Sequence, residues 1–159
     1  MAKFIMIHPD KCTGCQNCVI ACSFEKEQQI RPAASRIHVY TWEREQISVP
    51  MMCQQCNDAP CTGVCPTGAM HRVFGSPLVE YDPTKCIRCR MCVQACPFGN
   101  AVYDSITDRI IKCDTCQDDP ACVAACPVKA IEYVEEDIAT RSRKKAFAKK
   151  FKEAFQEVA

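Results

Sequence analysis

Cys86-Ile87-Arg88-Cys89-Arg90-Met91-Cys92-Val93-Gln94-Ala95-Cys96-Pro97 decides how this chain is read. Three cysteines are spaced C-x2-C-x2-C, a fourth follows after three more residues, and proline comes next. The same C-x2-C-x2-C-x3-C spacing occurs at Cys12, Cys15, Cys18 and Cys22. Two further groups stretch the middle gap: Cys53, Cys56, Cys61 and Cys65, and Cys113, Cys116, Cys122 and Cys126. These four groups use all 16 cysteines of the 159 residues.

The flanks repeat too. Proline follows Cys65, Cys96 and Cys126, and Ala69-Met70, Ala101-Val102 and Ala130-Ile131 come shortly after. His8-Pro9-Asp10-Lys11 precedes group one as Asp82-Pro83-Thr84-Lys85 precedes group three. Groups two and four share an Asp and a Pro behind their second cysteine (Asp58, Pro60; Asp118, Pro120). Groups one and three therefore match, as do two and four, which reads as duplication of a two-group unit.

So much cysteine in a short chain could mean disulfides. Two observations oppose that. The apolar run from Met1 to Pro9 is too short for an export leader, and the regular short gaps converge thiols on a metal. No run of 18 apolar residues exists, so no membrane span is expected. The reading is a cytoplasmic protein with reduced thiols. Setting cysteine aside, the apolar inventory is modest, with one Trp and seven Phe. Metal ligation is then needed to stabilise a chain this small.

C-x2-C-x2-C wraps one iron–sulfur cubane with three thiolates. The last cysteine, carried off by a helix, ligates the other cluster of a pair. Structural zinc uses two C-x2-C knuckles and needs no further cysteine at this spacing, so zinc is disfavoured. Four [4Fe–4S] clusters are expected. The formal charge of +1 counts thiols as neutral. Loading four cubanes would shift it by about −8, to roughly −7, which removes the electrostatic basis for binding nucleic acid.

Between the groups lie short strand-like runs. Arg36–Trp42 and Gln46–Met51 form one expected hairpin, Met70–Phe74 and Leu78–Tyr81 a second, Ala101–Tyr103 and Arg109–Lys112 a third. Lys3–Ile7 and Ala130–Val134 are expected edge strands that could pair. A short helix is expected to begin in the three residues before each group's last cysteine, as in Val19-Ile20-Ala21. The fold class is α+β.

The chain resembles the four-cluster ferredoxin subunits of molybdenum and tungsten oxidoreductases, the dimethyl-sulfoxide-reductase type, over about residues 3–135. That resemblance implies tandem bacterial-type ferredoxin folds in a domain at 1–136. One module would come from groups one and four, the other from groups two and three. It also implies the ligand sets. Cys12, Cys15, Cys18 and Cys126 would hold one cluster, and Cys113, Cys116, Cys122 and Cys22 its partner. Cys53, Cys56, Cys61 and Cys96 would hold a third, and Cys86, Cys89, Cys92 and Cys65 the fourth. In that family the clusters line up in the order one, four, two, three. The chain lacks the long insertions of respiratory members. It is more similar to compact cytoplasmic subunits serving tungsten aldehyde oxidoreductases, class II benzoyl-CoA reductases and carbon monoxide dehydrogenases, with the tungsten aldehyde oxidoreductase leading.

The implied role is non-catalytic electron transfer between a catalytic metal–pterin subunit and a second partner, such as a flavoprotein reducing NAD. The alternative catalytic partners are a hydrogenase, a formate or carbon monoxide dehydrogenase, or a benzoyl-CoA reductase, and two rivals stand beside the role itself. A freely diffusing polyferredoxin is one. A catalytic iron–sulfur enzyme is the other, and sixteen ligands for four cubanes leave it no open iron.

Arg88 and Arg90 in group three, and Asp114, Asp118 and Asp119 in group four, are candidate tuning residues. They would raise the Cys86 cluster's potential and lower that of the Cys113 cluster, unless they point into water. His8, His38 and His71 are read as surface or packing residues, and Tyr40 and Trp42 as packing in the first hairpin rather than forming an interface. The tail at 137–159 carries seven basic residues against three acids. Phe147, Phe151, Phe155 and Val158 recur at helical spacing. An amphipathic helix is expected, docking a partner or a second copy, or else packing back on its own domain or lying on a membrane.

Overall fold

The computed structural model describes residues 3–76 and 78–135. The expected tail helix at 137–159 lies outside the described residues.

Runs rich in β-branched and aromatic residues form hairpins where short polar turns separate them. β2 (Ile37–Trp42) pairs antiparallel with β3 (Ile47–Met52), with Ile37 opposite Met52 and Trp42 opposite Ile47. β4 (Met70–Arg72) pairs with β5 (Val79–Tyr81), and β6 (Val102–Asp104) with β7 (Arg109–Ile111). β1 (Lys3–Ile7) and β8 (Ile131–Glu135) join the two ends of the described chain, with Ile7 opposite Ile131. Every expected strand is present, most displaced by a residue. β4 stops short of Phe74, which is fully exposed.

The helices start earlier than expected. α1 (Asn17–Glu27), α2 (Pro60–Gly63), α3 (Met91–Ala95) and α4 (Ala121–Ala124) each begin one residue before the group's third cysteine. The cause is what precedes them. Gln16 and Arg90 are left-handed N-caps of α1 and α3, Pro60 opens α2, and Pro120 caps α4. α1 also runs on, to 11 residues. Cys22 lacks the proline that follows the other three last cysteines. Ser23 stands there instead, fully buried, donating to Ile20 O at 3.0 Å and accepting from Arg31 N at 3.3 Å. The result is a small mixed α and β fold of short helices and two-stranded ribbons.

α1 packs on α4, and α2 on α3. Two hydrophobic clusters follow from this. The first gathers Cys18, Val19, Cys22, Ile37, Met52, Cys122 and Ile131. The second gathers Ala59, Met70, Val79, Cys92 and Ile110, with Tyr81 and Tyr103 against it.

A charged knot joins α1 to the β6–β7 hairpin. Arg31 grips Asp104 with two bonds of 2.9 and 2.7 Å, and Glu27 takes Arg36 and Arg109 at 2.6 Å each. The Arg31 guanidinium holds the Asp104 carboxyl far below the usual carboxylate range. Burial would raise Glu27, but Arg36 and then Arg109 and Arg31 outweigh it, and its pKa falls. Two carboxylates thus serve three arginines.

Candidate metal centres

The cysteine loops are built from left-handed residues. In group one, Gly14 (φ 70) and Gln16 (φ 64) flank Cys15; in group three, Arg88 (φ 60) and Arg90 (φ 60) flank Cys89. Such turns aim successive N–H groups into one concavity, and Arg88 N donates to Cys86 Sγ at 3.3 Å. Gly14 is required for a second reason. A Cβ there would stand 2.8 Å from Ser48 Oγ on β3, so the β2–β3 hairpin closes onto the loop. In groups two and four the residue before the second cysteine is also left-handed, and both of these, Gln55 and Thr115, are buried.

The last cysteine of each group accepts a backbone N–H. Met70 N reaches Cys65 Sγ at 3.3 Å, Asn100 N reaches Cys96 Sγ at 3.3 Å and Ala130 N reaches Cys126 Sγ at 3.2 Å. Proline starts each of these turns and a left-handed residue (Gly68, Gly99, Lys129) completes it. Cys22, inside its longer helix, receives its bond from Arg36 N at 3.3 Å.

Thiols from different groups share hollows. Cys12, Cys15 and Cys18 line one of ≈ 310 Å³ together with Cys126, among Val39, Pro50 and Ile131. Cys113, Cys116 and Cys122 line one of ≈ 330 Å³ together with Cys22, among Ile5, Ile37 and Met52. Cys86, Cys89 and Cys92 line one of ≈ 310 Å³ together with Cys65, among Met70, Tyr81 and Ile110. The remaining cysteines are electrostatic neighbours. Burial raises the Cys56 and Cys61 thiols, and the charges of Cys53 and Cys96 add to it, while Lys112 opposes. A larger surface hollow, lined by Arg36, Arg109, Lys112, Asp114 and Tyr81, reaches a single cysteine, Cys113, and so borders the Cys113 set without gathering a quartet of its own.

Burial pushes Cys18 and Cys92 to about 11 and Cys113 to about 12, and Cys122 higher still. Emptied of metal, such thiols stay protonated, so loading must release protons. Among the described residues, no cluster of three or more Cys, His, Asp or Glu fits a single metal ion. Quartets of soft thiols around apolar hollows, with N–H groups on sulfur, suit an iron–sulfur cubane.

Comparison with known proteins agrees. A profile of the 4Fe-4S dicluster domain matches residues 44–136, and a 4Fe-4S binding domain profile matches residues 5–25. The chain belongs to the 4Fe-4S dicluster family. Two such domains and 16 cysteines fit four [4Fe–4S] clusters. The thiosulfate reductase electron transfer subunit PhsB of Salmonella typhi is 36% identical over 82% of this chain and 75% of its own length. The NADH-dependent phenylglyoxylate dehydrogenase subunit beta of Aromatoleum evansii is 37% identical over 82% of this chain. This chain spans only 30% of that protein. A solved structure of the benzoyl coenzyme A reductase active-site complex BamBC, with zinc, matches with a TM-score of 0.51 at 25% identity. That match covers 94% of this chain and 91% of the solved one. This dicluster chain is thus an iron–sulfur electron-transfer protein of the kind found in oxidoreductase complexes.

The surroundings of the dicluster loops correct several expectations. Asp114 does not stand as a bare negative charge, because Lys26 Nζ lies 2.7 Å from it. Asp118 accepts the Tyr133 hydroxyl. Arg88 pairs with Asp108 at 3.0 Å, and Arg90 stacks on the Tyr103 ring at 3.7 Å. The expected contrast between the Cys86 and Cys113 sites therefore shrinks. Tyr40 and Trp42 are more than half exposed on β2, beside exposed Ile47, rather than packed. His8 lies 3.4 Å from Glu132 on the β1–β8 ribbon.

One pair of residues escaped the sequence reading. Gln55, inside the group-two loop, donates through Nε2 to Cys113 O at 2.9 Å and accepts from Val79 N at 2.9 Å. Lys112 is buried, donating through Nζ to Val79 O and, at 2.8 Å, to Cys113 O. A lysine beside a cysteine motif carries no signal of burial; nothing short of the fold could have found it.

Proposed function

We propose that this chain relays electrons through four [4Fe–4S] clusters between a catalytic oxidoreductase subunit, with tungsten– or molybdenum–pterin chemistry, and a second redox partner such as an FAD- and NAD-dependent subunit. An aldehyde-oxidising tungsten enzyme of the cytoplasm is the leading partner. The chain itself performs no bond chemistry. Its clusters would be held by Cys12, Cys15, Cys18 and Cys126; by Cys113, Cys116, Cys122 and Cys22; by Cys53, Cys56, Cys61 and Cys96; and by Cys86, Cys89, Cys92 and Cys65. Two modules would result, one from groups one and four and one from groups two and three.

The observation that carries this reading is the sharing of hollows across groups. Cys126 lies with group one and Cys22 with group four. Each cluster, once bound, would take up and give back one electron. The protein's share is to bury the sulfurs among apolar side chains and to aim N–H groups at them. The basic tail would dock the catalytic subunit or a second copy. The likeness to the benzoyl coenzyme A reductase complex supports a second reading, with an active-site subunit of that type as partner.

Iron counting tests the wiring. Cys22→Ser and Cys113→Ser should each lose about four irons, and the double variant no more than that, because both ligate one cluster. Cys22→Ser with Cys12→Ser should lose about eight. Additive loss in the first pair overturns the exchange. Anaerobic capture from native cells tests the role. Recovery with a pterin–metal oxidoreductase whose substrate reduces these clusters is expected, and recovery of the chain alone overturns the complex in favour of a diffusing polyferredoxin.

A further inference from the structure

We propose that Lys112 is a fixed positive charge at the seam between the Cys113 and Cys53 quartets, there to hold electrons in the middle of the relay. This rests on the four-cluster reading above.

Lys112 is buried, at 8% exposure, in the wall of the surface hollow it shares with Arg36, Arg109 and Asp114. Its Nζ meets Val79 O, Cys113 O and, at 3.5 Å, Gln55 Oε1. All three are neutral oxygens. No ion pair among the described residues includes Lys112. A buried cation without a counter-charge is costly; the carboxylate that lines its hollow, Asp114, is taken by Lys26 at 2.7 Å, and Cys113 is its neighbour in the chain. The Lys112 Nζ touches the Cys113 carbonyl of one quartet and the side chain of Gln55, which lies between Cys53 and Cys56 of the other. Gln55 fixes this geometry, because one side chain ties the Cys53–Cys56 loop to Cys113 and to β5.

The neighbouring charges are each paired locally. Lys26 and Asp114 neutralise one another at 2.7 Å. Arg36 and Arg109 share Glu27. Arg88, at the far quartet, is exposed and paired with Asp108, so solvent screens it. One carboxylate between Arg36 and Arg109 leaves a positive charge in the knot as well, but Lys112 is the buried cation with no ion pair at all among the described residues.

A bound cluster, counted with its four thiolates, would go from a dianion to a trianion on receiving one electron from its neighbour. The donor is oxidised by one electron and no proton moves. A cation in a low-dielectric seam stabilises the trianion. The two central clusters are thereby easier to reduce than they would be without it, and the two modules are joined by an electron reservoir.

The test is anaerobic redox titration of the loaded chain, followed by EPR, with iron content measured on each sample. Lys112→Met should lower the reduced-to-oxidised ratio of both central clusters at least tenfold at fixed potential, which is about 59 mV for one electron. Lys112→Arg should restore it to within threefold. Gln55→Glu, which places a carboxylate against the ammonium, should produce the same fall while Lys112 stays in place. If Lys112→Met loses iron, Gln55→Glu decides. Four clusters present with both central potentials unmoved, or a fall that Lys112→Arg fails to restore, overturns the role of Lys112. A wild-type chain holding fewer than four clusters overturns the relay reading instead.

Discussion

The region around the first hydrophobic cluster and the region around the second share one cysteine plan but differ in how much regular structure supports it. The first has an 11-residue helix, a hairpin of six-residue strands and a ribbon of five-residue strands. The second has helices of four and five residues and strands of three. Elements that short are not stable alone. The second region must borrow more of its order from bound metal, whose binding free energy is folding free energy.

Stripping iron with a chelator under reducing conditions should widen that difference. Amide exchange should rise to near the unprotected rate at 60–63, 70–72, 79–81 and 91–95. Partial protection should persist at 17–27 and 37–52. Equal loss in both regions would break the comparison. Glu27→Gln comes next in size. It takes the shared carboxylate from three arginines and should cost about 3 kcal/mol, the usual scale for unpairing a buried ion pair. A lower thermal midpoint of the loaded chain, with faster exchange in the β6–β7 hairpin, is the expected result. An unchanged midpoint would mean that the knot between α1 and that hairpin stabilises nothing.

The repeat of cysteines made the loops, the helices behind them and all four ribbons readable, because ligand spacing and strand alternation are local signals. The missing proline at Ser23 was readable too, yet its consequence was not. Only the fold shows that the helix runs on to Glu27 and that Arg36 must supply the sulfur's hydrogen bond. Arg31 and Asp104 are 73 residues apart and Glu27 and Arg109 are 82, so nothing in the local pattern could pair them. The left-handed turns at Arg88 and Arg90 were hidden for another reason. A motif that binds a cluster imposes backbone strain on residues that would not choose it, and the sequence shows only their charge.

That charge gives the smallest expected effect. Arg88→Gln removes the ion pair with Asp108, which keeps the Tyr103 hydroxyl, at a surface where such pairs contribute little. Less than a twofold change in the reduced-to-oxidised ratio of the Cys86 site is expected. A change as large as that of Lys112→Met would show that exposure does not screen this end of the molecule, and would restore the contrast between the Cys86 and Cys113 sites.

The chain carries one tryptophan. Trp42 stands about half-exposed at the end of β2, on the hairpin whose Ser48 closes over Gly14. Iron–sulfur chromophores absorb where indole emits, so filling the clusters should dim this residue and emptying them should brighten it. A surface that covers the hairpin shifts the emission to the blue. A single indole on one hairpin is thus a built-in optical gauge for both events.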